Sequence, residues 1–206
     1  MHALQRHLLL ALILASPLVA QERQMVLQSG HTMRIEGTSN LRDWGADVGQ
    51  LAVDFAVRDW SENPITDLAA EIFTSFALRA PVADIHSRTK GLTGKIHKYL
   101  KKKEHPIISF ELHRVTDIRI AADIAHVCAE GTIRAAGADH RLVLDAALTA
   151  GAADTLLVSG RTRLNMTDFG IKPPTALFGT IRAVDAFEVS FSLPFVPRTS
   201  DHAGLH

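Results

Sequence analysis

The chain has 206 residues, 47% of them hydrophobic, and balances 22 lysines and arginines against 22 aspartates and glutamates. A net charge near zero offers no basic face for nucleic acid, and one cysteine, Cys128, cannot form an internal disulfide. The length suits one domain with a sizeable core, in which Cys128 reads as a small buried hydrophobe.

In chain order, Met1–His7 is basic, Leu8–Leu14 is an unbroken apolar run, and Ser16-Pro17-Leu18-Val19-Ala20 leads into polar Gln21-Glu22-Arg23. That order describes a secretory signal peptide, although Leu18 stands where a small residue is preferred before the cut. The alternative is a retained membrane anchor, but the run is shorter than the roughly 20 apolar residues a span needs. The expectation is a periplasmic protein with a signal peptide over 1–20, one domain over 21–196 and a flexible tail over 197–206. Loss of Arg6 on cleavage leaves the balance close to neutral.

From there the sequence alternates with period two, the mark of strands with one buried face. Strands are predicted at Met25–Ser29 and His31–Gly37, then through Leu51, Val53, Phe55 and Val57, then at Glu71–Arg79. "GLTGKIHKYLKKKEHPIISF" breaks the rhythm. Thr93 can cap a short helix over Gly94–Lys103, with Ile96, Tyr99 and Leu100 at helical spacing and lysines at the C-terminal end, where cations suit the dipole. Pro106 then ends it and starts a strand carrying Ile108, Phe110 and Leu112 on one face.

Further strands are expected at Asp117–Ala129, Gly131–Ala135, around Leu142 and Leu144, over Asp154–Met166, and through Phe187, Val189, Phe191, Leu193 and Phe195. Turn signals fall at Ser29-Gly30, Glu130-Gly131, Gly137-Ala138-Asp139 and Gly151–Asp154. Many short strands with close turns indicate an all-β antiparallel sandwich or barrel.

The chemistry-bearing residues are sparse. There is no Gly-x-Ser-x-Gly elbow, phosphate-binding glycine loop or His-Glu-x-x-His, and the histidines are scattered. Neither catalysis, nor a cofactor, nor a metal site is expected. Lys98, Lys101, Lys102 and Lys103 read as a solvated helix end, or alternatively as a cationic rim facing an anionic head group. Arg161 and Arg163 fall on the outer face of their strand, with cross-strand carboxylates as partners, and Trp44 and Trp60 read as core or interface residues.

"TDFGIKPPTALFGT", residues 167–180, places Phe169, Ile171, Leu177 and Phe178 in a connector between strands. Pro173 and Pro174 bias the residues before them to extended geometry, while Gly170 and Gly179 permit changes of direction. The apolar residues can fold back as a lip over the mouth of a barrel, or close one end of its core.

Several segments in order carry a resemblance: "EGTSNLRDW" (Glu36–Trp44), "LKKKEHPIISFEL" (Leu100–Leu112), "NMTDFGIKPPTALFGTI" (Asn165–Ile181) and "FEVSFSLPF" (Phe187–Phe195). Together the chain resembles the YceI-like family of bacterial exported polyisoprenoid-binding proteins over about Gln24–Phe195. It departs from the family's Asp-x-x-His-Ser opening, since Ser39 follows Gly37 and Thr38, so no ligand contact of that histidine carries over.

The resemblance implies a single lipocalin-like antiparallel barrel of about eight strands, whose interior takes an isoprenoid tail of the polyprenyl phosphate or quinone type. The residues expected to line it are Phe55, Phe110, Leu112, Val158, Leu164, Phe187, Val189 and Phe191, with Phe169 and Phe178 added from the loop. The competing expectation is a filled barrel that binds a membrane redox protein or a second copy of itself. Cavity volume separates the two. Homodimerisation and transient contact with a membrane stay open.

Overall fold

The computed structural model describes residues 22–58, 65–66, 68–152, 154–176 and 178–198. The predicted signal peptide and most of the predicted tail therefore lie outside the described residues, as do Trp60 and Leu177.

The alternating segments become strands β1 (Glu22–Leu27), β2 (Thr32–Ser39), β3 (Trp44–Val48), β4 (Ala52–Arg58), β5 (Phe73–Pro81) and β6 (Ile85–His86). Helix α1 (Leu92–Tyr99) follows, then β7 (Ile107–Ala121), β8 (Ile124–Ala135), β9 (Ala138–Ala150), β10 (Leu156–Asn165), β11 (Thr175–Ala176) and β12 (Ile181–Pro197). Strands β1, β4, β5, β7, β8, β9, β10 and β12 hydrogen-bond in that order, and β12 returns to β1 through Met25 opposite Pro197 and Leu27 opposite Phe195. The result is a closed, eight-stranded antiparallel barrel of lipocalin-like form. Closure leaves the ring without unpaired edges.

The ring is extended at one end. β12 is long enough to pair with β1 near its C-terminus and with β2 along Phe187–Ser192, and β2 continues through β3 to β6. β5 and β7 pair only as far as Pro81 opposite Ile107, and α1 packs beside β6 where the next stretch of wall would stand. His97 Nε2 lies 3.0 Å from the Ile85 carbonyl oxygen, pinning the helix to β6.

The helix is shorter than predicted and is not capped by Thr93. It begins at Leu92 behind Gly91, whose φ of 75° suits glycine. The Thr93 hydroxyl instead accepts from the Ser87 N–H at 3.0 Å, holding α1 to the preceding loop. It ends in a Schellman pattern, with the Lys102 N–H donating to the His97 carbonyl and the Lys101 N–H to that of Lys98. Lys101 takes the left-handed position, and its Nζ donates to the Ala136 carbonyl at 3.0 Å, joining the helix end to the β8–β9 turn.

One predicted strand and one predicted turn fail in the same hairpin. Asp117–Ala129 is not one strand: β7 runs to Ala121, the chain reverses at Ala122 and Asp123, and β8 returns from Ile124. Ala122 has a φ of 48°, so this turn carries none of the usual glycine signal. Conversely, Gly131 is no turn but the middle of β8. A Cβ there would sit 2.5 Å from the Phe110 ring, so the glycine makes room for that aromatic across the sheet. Gly160 does the same for Phe191, whose Cζ would lie 2.8 Å from its Cβ. The predicted turn at Gly137 is a two-residue hairpin in which Ala136 and Gly137 both have positive φ.

The lower end of the barrel is solid. Phe195 has no exposed surface, and its ring centroid stands 5.0 Å from that of Phe55 and 6.3 Å from that of Phe76, both edge-on. Phe55 also meets Phe76 at 5.3 Å, and Met25, Val57, Leu156 and Leu193 complete the buried cluster. Each edge-on aromatic pair adds about 0.5–1.5 kcal/mol beyond burial. Cys128, expected in the core, is only half-buried, on the β8 face opposite buried Val127 and Ala129.

Candidate ligand cavity

Above the aromatic floor the barrel is hollow. A cavity of about 640 Å³ runs from Phe55, Phe73 and Phe76 up the barrel to α1, the β2–β3 turn and the loop before β12. Its size falls within the range of small-molecule sites, and its wall is almost wholly apolar.

The wall follows from strand alternation. On β12 the inward residues are Phe187, Val189, Phe191 and Leu193, while Glu188 and Ser190 take the other face. On β10 they are Val158, Thr162 and Leu164, and on β7 they include Ile108, Phe110 and Leu112. β8 and β9 add both large and small residues, Ile133, Leu142 and Leu144 beside Ala129 and Ala146.

Of the residues predicted from sequence, the structure brings Phe55, Phe110, Leu112, Val158, Leu164, Phe169, Phe187, Val189 and Phe191 to this cavity. Phe55 is its floor, fully packed from behind. Phe178 does not reach it: the residue has a φ of 54° and its ring is wholly exposed.

The loop that prompted these expectations therefore divides its apolar residues. Phe169 is buried with Ala135 and Leu164 and lies 5.7 Å, ring to ring, from His140. Ile171 also faces the cavity. The fold of the loop is fixed by polar contacts: the Asp168 carboxylate accepts from the Asn165 N–H, and Asp185 accepts from both the N–H and the hydroxyl of Thr167. β11 adds a short ladder to β12.

Among the lining residues that sequence reasoning missed, three groups stand out. Leu92, Ile96 and Tyr99 of α1 and Leu100 just after it cover the open side of the barrel; the helical spacing of Ile96, Tyr99 and Leu100 was visible, but which end they covered was not. Trp44 lines the upper wall, its indole N–H donating to the Thr38 carbonyl at 3.3 Å over Gly37. Phe73 and Phe76 share the floor although they are an odd number of residues apart, because the β4–β5 register shifts between Ala56 and Val57 and alternation breaks there.

The mouth is polar and cationic. Arg42, Lys90, Lys95 and Lys98 border it, with Ser39, Thr89 and Tyr99, and no aspartate or glutamate is among the described residues lining the cavity. Of the four lysines named from sequence, only Lys98 takes part; Lys101 is bound to Ala136, and Lys102 and Lys103 are exposed. Among the described residues no polar or charged side chain is buried, and no three histidine, cysteine, aspartate or glutamate side chains gather as metal ligands.

On the outer wall, the Arg114 guanidinium donates twice to Glu130, which lowers that carboxyl's pKa, and Arg134 does the same for Asp139. Arg161 and Arg163 are exposed as expected, the latter opposite Glu188.

A closed eight-stranded barrel with a blind apolar lumen and one polar mouth defines a lipocalin-like binding protein. Residues 44–195 match the YceI-like domain, and the chain belongs to that family. Its fold is similar to that of Burkholderia cenocepacia BcnA, with a TM-score of 0.61 and 11% identity over 80% of this chain and 95% of that one. A polyisoprenoid binding domain from Saccharophagus degradans, implicated in plant cell wall breakdown, gives a TM-score of 0.61 and 9% identity over 85% of this chain and 98% of that one. The Campylobacter jejuni YCEI protein gives 0.56 and 15% identity over 75% and 85%. No curated protein matches the chain in sequence.

Proposed function

We propose that the protein is an exported, non-catalytic lipid carrier that holds a long isoprenoid chain, of the polyprenyl phosphate or quinone type, in the barrel interior. The observation that carries this reading is the cavity itself, about 640 Å³ of apolar lumen closed below by packed aromatics and open above. Burial drives such binding at roughly 25 cal/mol per Å² of apolar surface, and a flexible prenyl chain suits a lumen whose wall is almost wholly apolar. The family membership, and the polyisoprenoid binding named for the Saccharophagus domain, point the same way.

The cavity also weighs against a filled barrel acting only through its outer face. Mass spectrometry of an organic extract from protein exported to a bacterial periplasm, and purified without detergent, tests the reading. A stoichiometric prenyl lipid or quinone is expected. No lipid in the extract, together with no binding of added prenyl lipids, would return the filled-barrel alternative. The mature N-terminus of the same sample should fall near residue 21; an intact leader would sink the export proposal.

Loading requires a water-insoluble chain to leave a bilayer, and the exposed Leu41 and Phe178 stand on two loops tied together beside the mouth. The Asn40 side chain donates to the Thr180 carbonyl and accepts from the Arg182 N–H. Transient membrane contact through these two residues is part of the proposal. Phe178→Ser should slow lipid transfer from vesicles while leaving affinity unchanged, and unaltered transfer would refute it.

A further inference from the structure

The chain is neutral as a whole, but its charges are not evenly spread. Residues Arg88–Glu104 form the loop before α1, the helix and its end, and hold seven lysines and arginines against one acidic residue. Lys90, Lys95 and Lys98 border the mouth. Lys101 Nζ reaches the β8–β9 turn at Ala136, which places the following Lys102 and Lys103 at the same end of the barrel. Arg42 adds a cation from the β2–β3 turn.

These cations differ from those on the wall. There Arg79 meets Asp54 at 2.8 Å, Arg114 meets Glu130 at 2.9 Å and Arg119 meets Asp117 at 3.0 Å, so much of the field cancels locally. Arg42, Lys90, Lys95, Lys98, Lys102 and Lys103 are all exposed, and none is in an ion pair among the described residues. The same end carries apolar tips. Leu41, next to Arg42, is 65% exposed, and the Phe178 ring stands wholly in water on a backbone with a φ of 54°. A bulky residue held at positive φ is strained, and such strain gathers where a segment has work to do.

Unpaired cations around apolar tips complement a surface that is anionic outside and hydrocarbon beneath. An acidic soluble protein would answer the charges and not the tips, and a neutral bilayer the tips and not the charges. We infer that the mouth end docks on an anionic bilayer. The cations of α1 and its flanking loops meet the lipid phosphates, Leu41 and Phe178 enter between the head groups, and the lumen opens onto the membrane. This deepens the membrane contact proposed above by naming the surface and the orientation, and it rests on the carrier reading for its purpose.

The test is co-sedimentation of the protein with vesicles of phosphatidylcholine alone, and of equal parts phosphatidylcholine and phosphatidylglycerol. Neither contains an isoprenoid, so binding reports docking and not loading. The anionic vesicles should bind at least tenfold more tightly at low salt, because each cation near such a surface adds to the attraction. The preference should collapse near 1 M salt, where the Debye length is only about 3 Å. Lys102→Glu/Lys103→Glu should lose about tenfold on anionic vesicles and nothing on neutral ones. Neither side chain lines the lumen, so prenyl-lipid affinity in solution should match the parent's. Phe178→Ser should also weaken docking on the anionic vesicles several-fold.

Equal binding to the two vesicles, or binding to neither, would overturn the docking inference and leave the lipid carrier standing. A preference untouched by Lys102→Glu/Lys103→Glu would move the contact to another face and overturn it as well. Salt-sensitive binding that ignores Phe178→Ser would show that no tip enters the bilayer, and would reassign the cations to an acidic soluble partner. A vesicle preference that holds while added prenyl lipids fail to bind would keep the docking face and remove the carrier reading.

Discussion

Replacing Phe191 with arginine puts a charge in the middle of the inner wall. Phe191 lies on β12 opposite Gly160, facing the lumen between the aromatic floor and the mouth. Its ring rests where a Cβ on Gly160 would stand, so the substitution also uncovers a bare stretch of backbone. In the ligand-free barrel the guanidinium can keep water around it, because the lumen is open at the top. A prenyl chain that fills the lumen removes that water, and an unpaired buried charge costs several kcal/mol.

Taking about 4 kcal/mol gives roughly a 10³-fold loss of affinity. The stability of the empty protein falls far less than this. Lipid content by mass spectrometry, circular dichroism and urea unfolding of the same Phe191→Arg preparation separate the two effects. A folded β-protein that no longer carries lipid is expected. If the variant still co-purifies with lipid, Phe191 does not face the ligand and the lining assignment is wrong.

Three further outcomes follow from the geometry. Phe195→Ala removes a ring with no exposed surface from the floor and should cost about 3–5 kcal/mol in urea unfolding; a loss under 1 kcal/mol would show that the floor is loosely packed. Gly131→Ala drives a methyl toward the Phe110 ring and the Glu111 carbonyl, and should cost about 1–3 kcal/mol, with no change expected only if the strands can part there. The carboxyls of Glu130 and Asp139 have pKa values lowered by hydrogen bonds from Arg114 and Arg134, so their contribution is present above the unfolded-state pKa and lost as pH falls through the folded one. Both pairs are exposed, so thermal scans should show little change from pH 7 to 5 and a small decline below about pH 4. A large drop between pH 7 and 5 would point to another titrating group.

Part of the inner wall was legible because inward and outward faces are set by a local rule. The side chains of a strand alternate, so Phe187, Val189 and Phe191 had to share a face whatever the strand paired with. The same rule misled where its local conditions failed. Ala122 and Asp123 reverse the chain without glycine or proline, and Gly131 sits in mid-strand because Phe110 needs the space, a fact that belongs to the neighbouring strand. Thr93 looked like a cap from its neighbours, but Ser87 holds it from outside the helix.

Alternation and turn chemistry thus determined, from sequence alone, an antiparallel sandwich or barrel and part of its inner face, and the motifs in order added the family resemblance that implied a barrel. Only the tertiary structure decided that β12 closes on β1, that the lumen is blind below and hollow above, and that Phe169 turns in while Phe178 turns out. It also brought Arg42 from the β2–β3 turn to the same opening as Lys90, Lys95 and Lys98 from α1 and the loop before it. The physical reason is that a strand's faces depend on adjacent residues. Closure, register and the volume left between walls depend on pairings between residues far apart in the chain, and no local pattern records them.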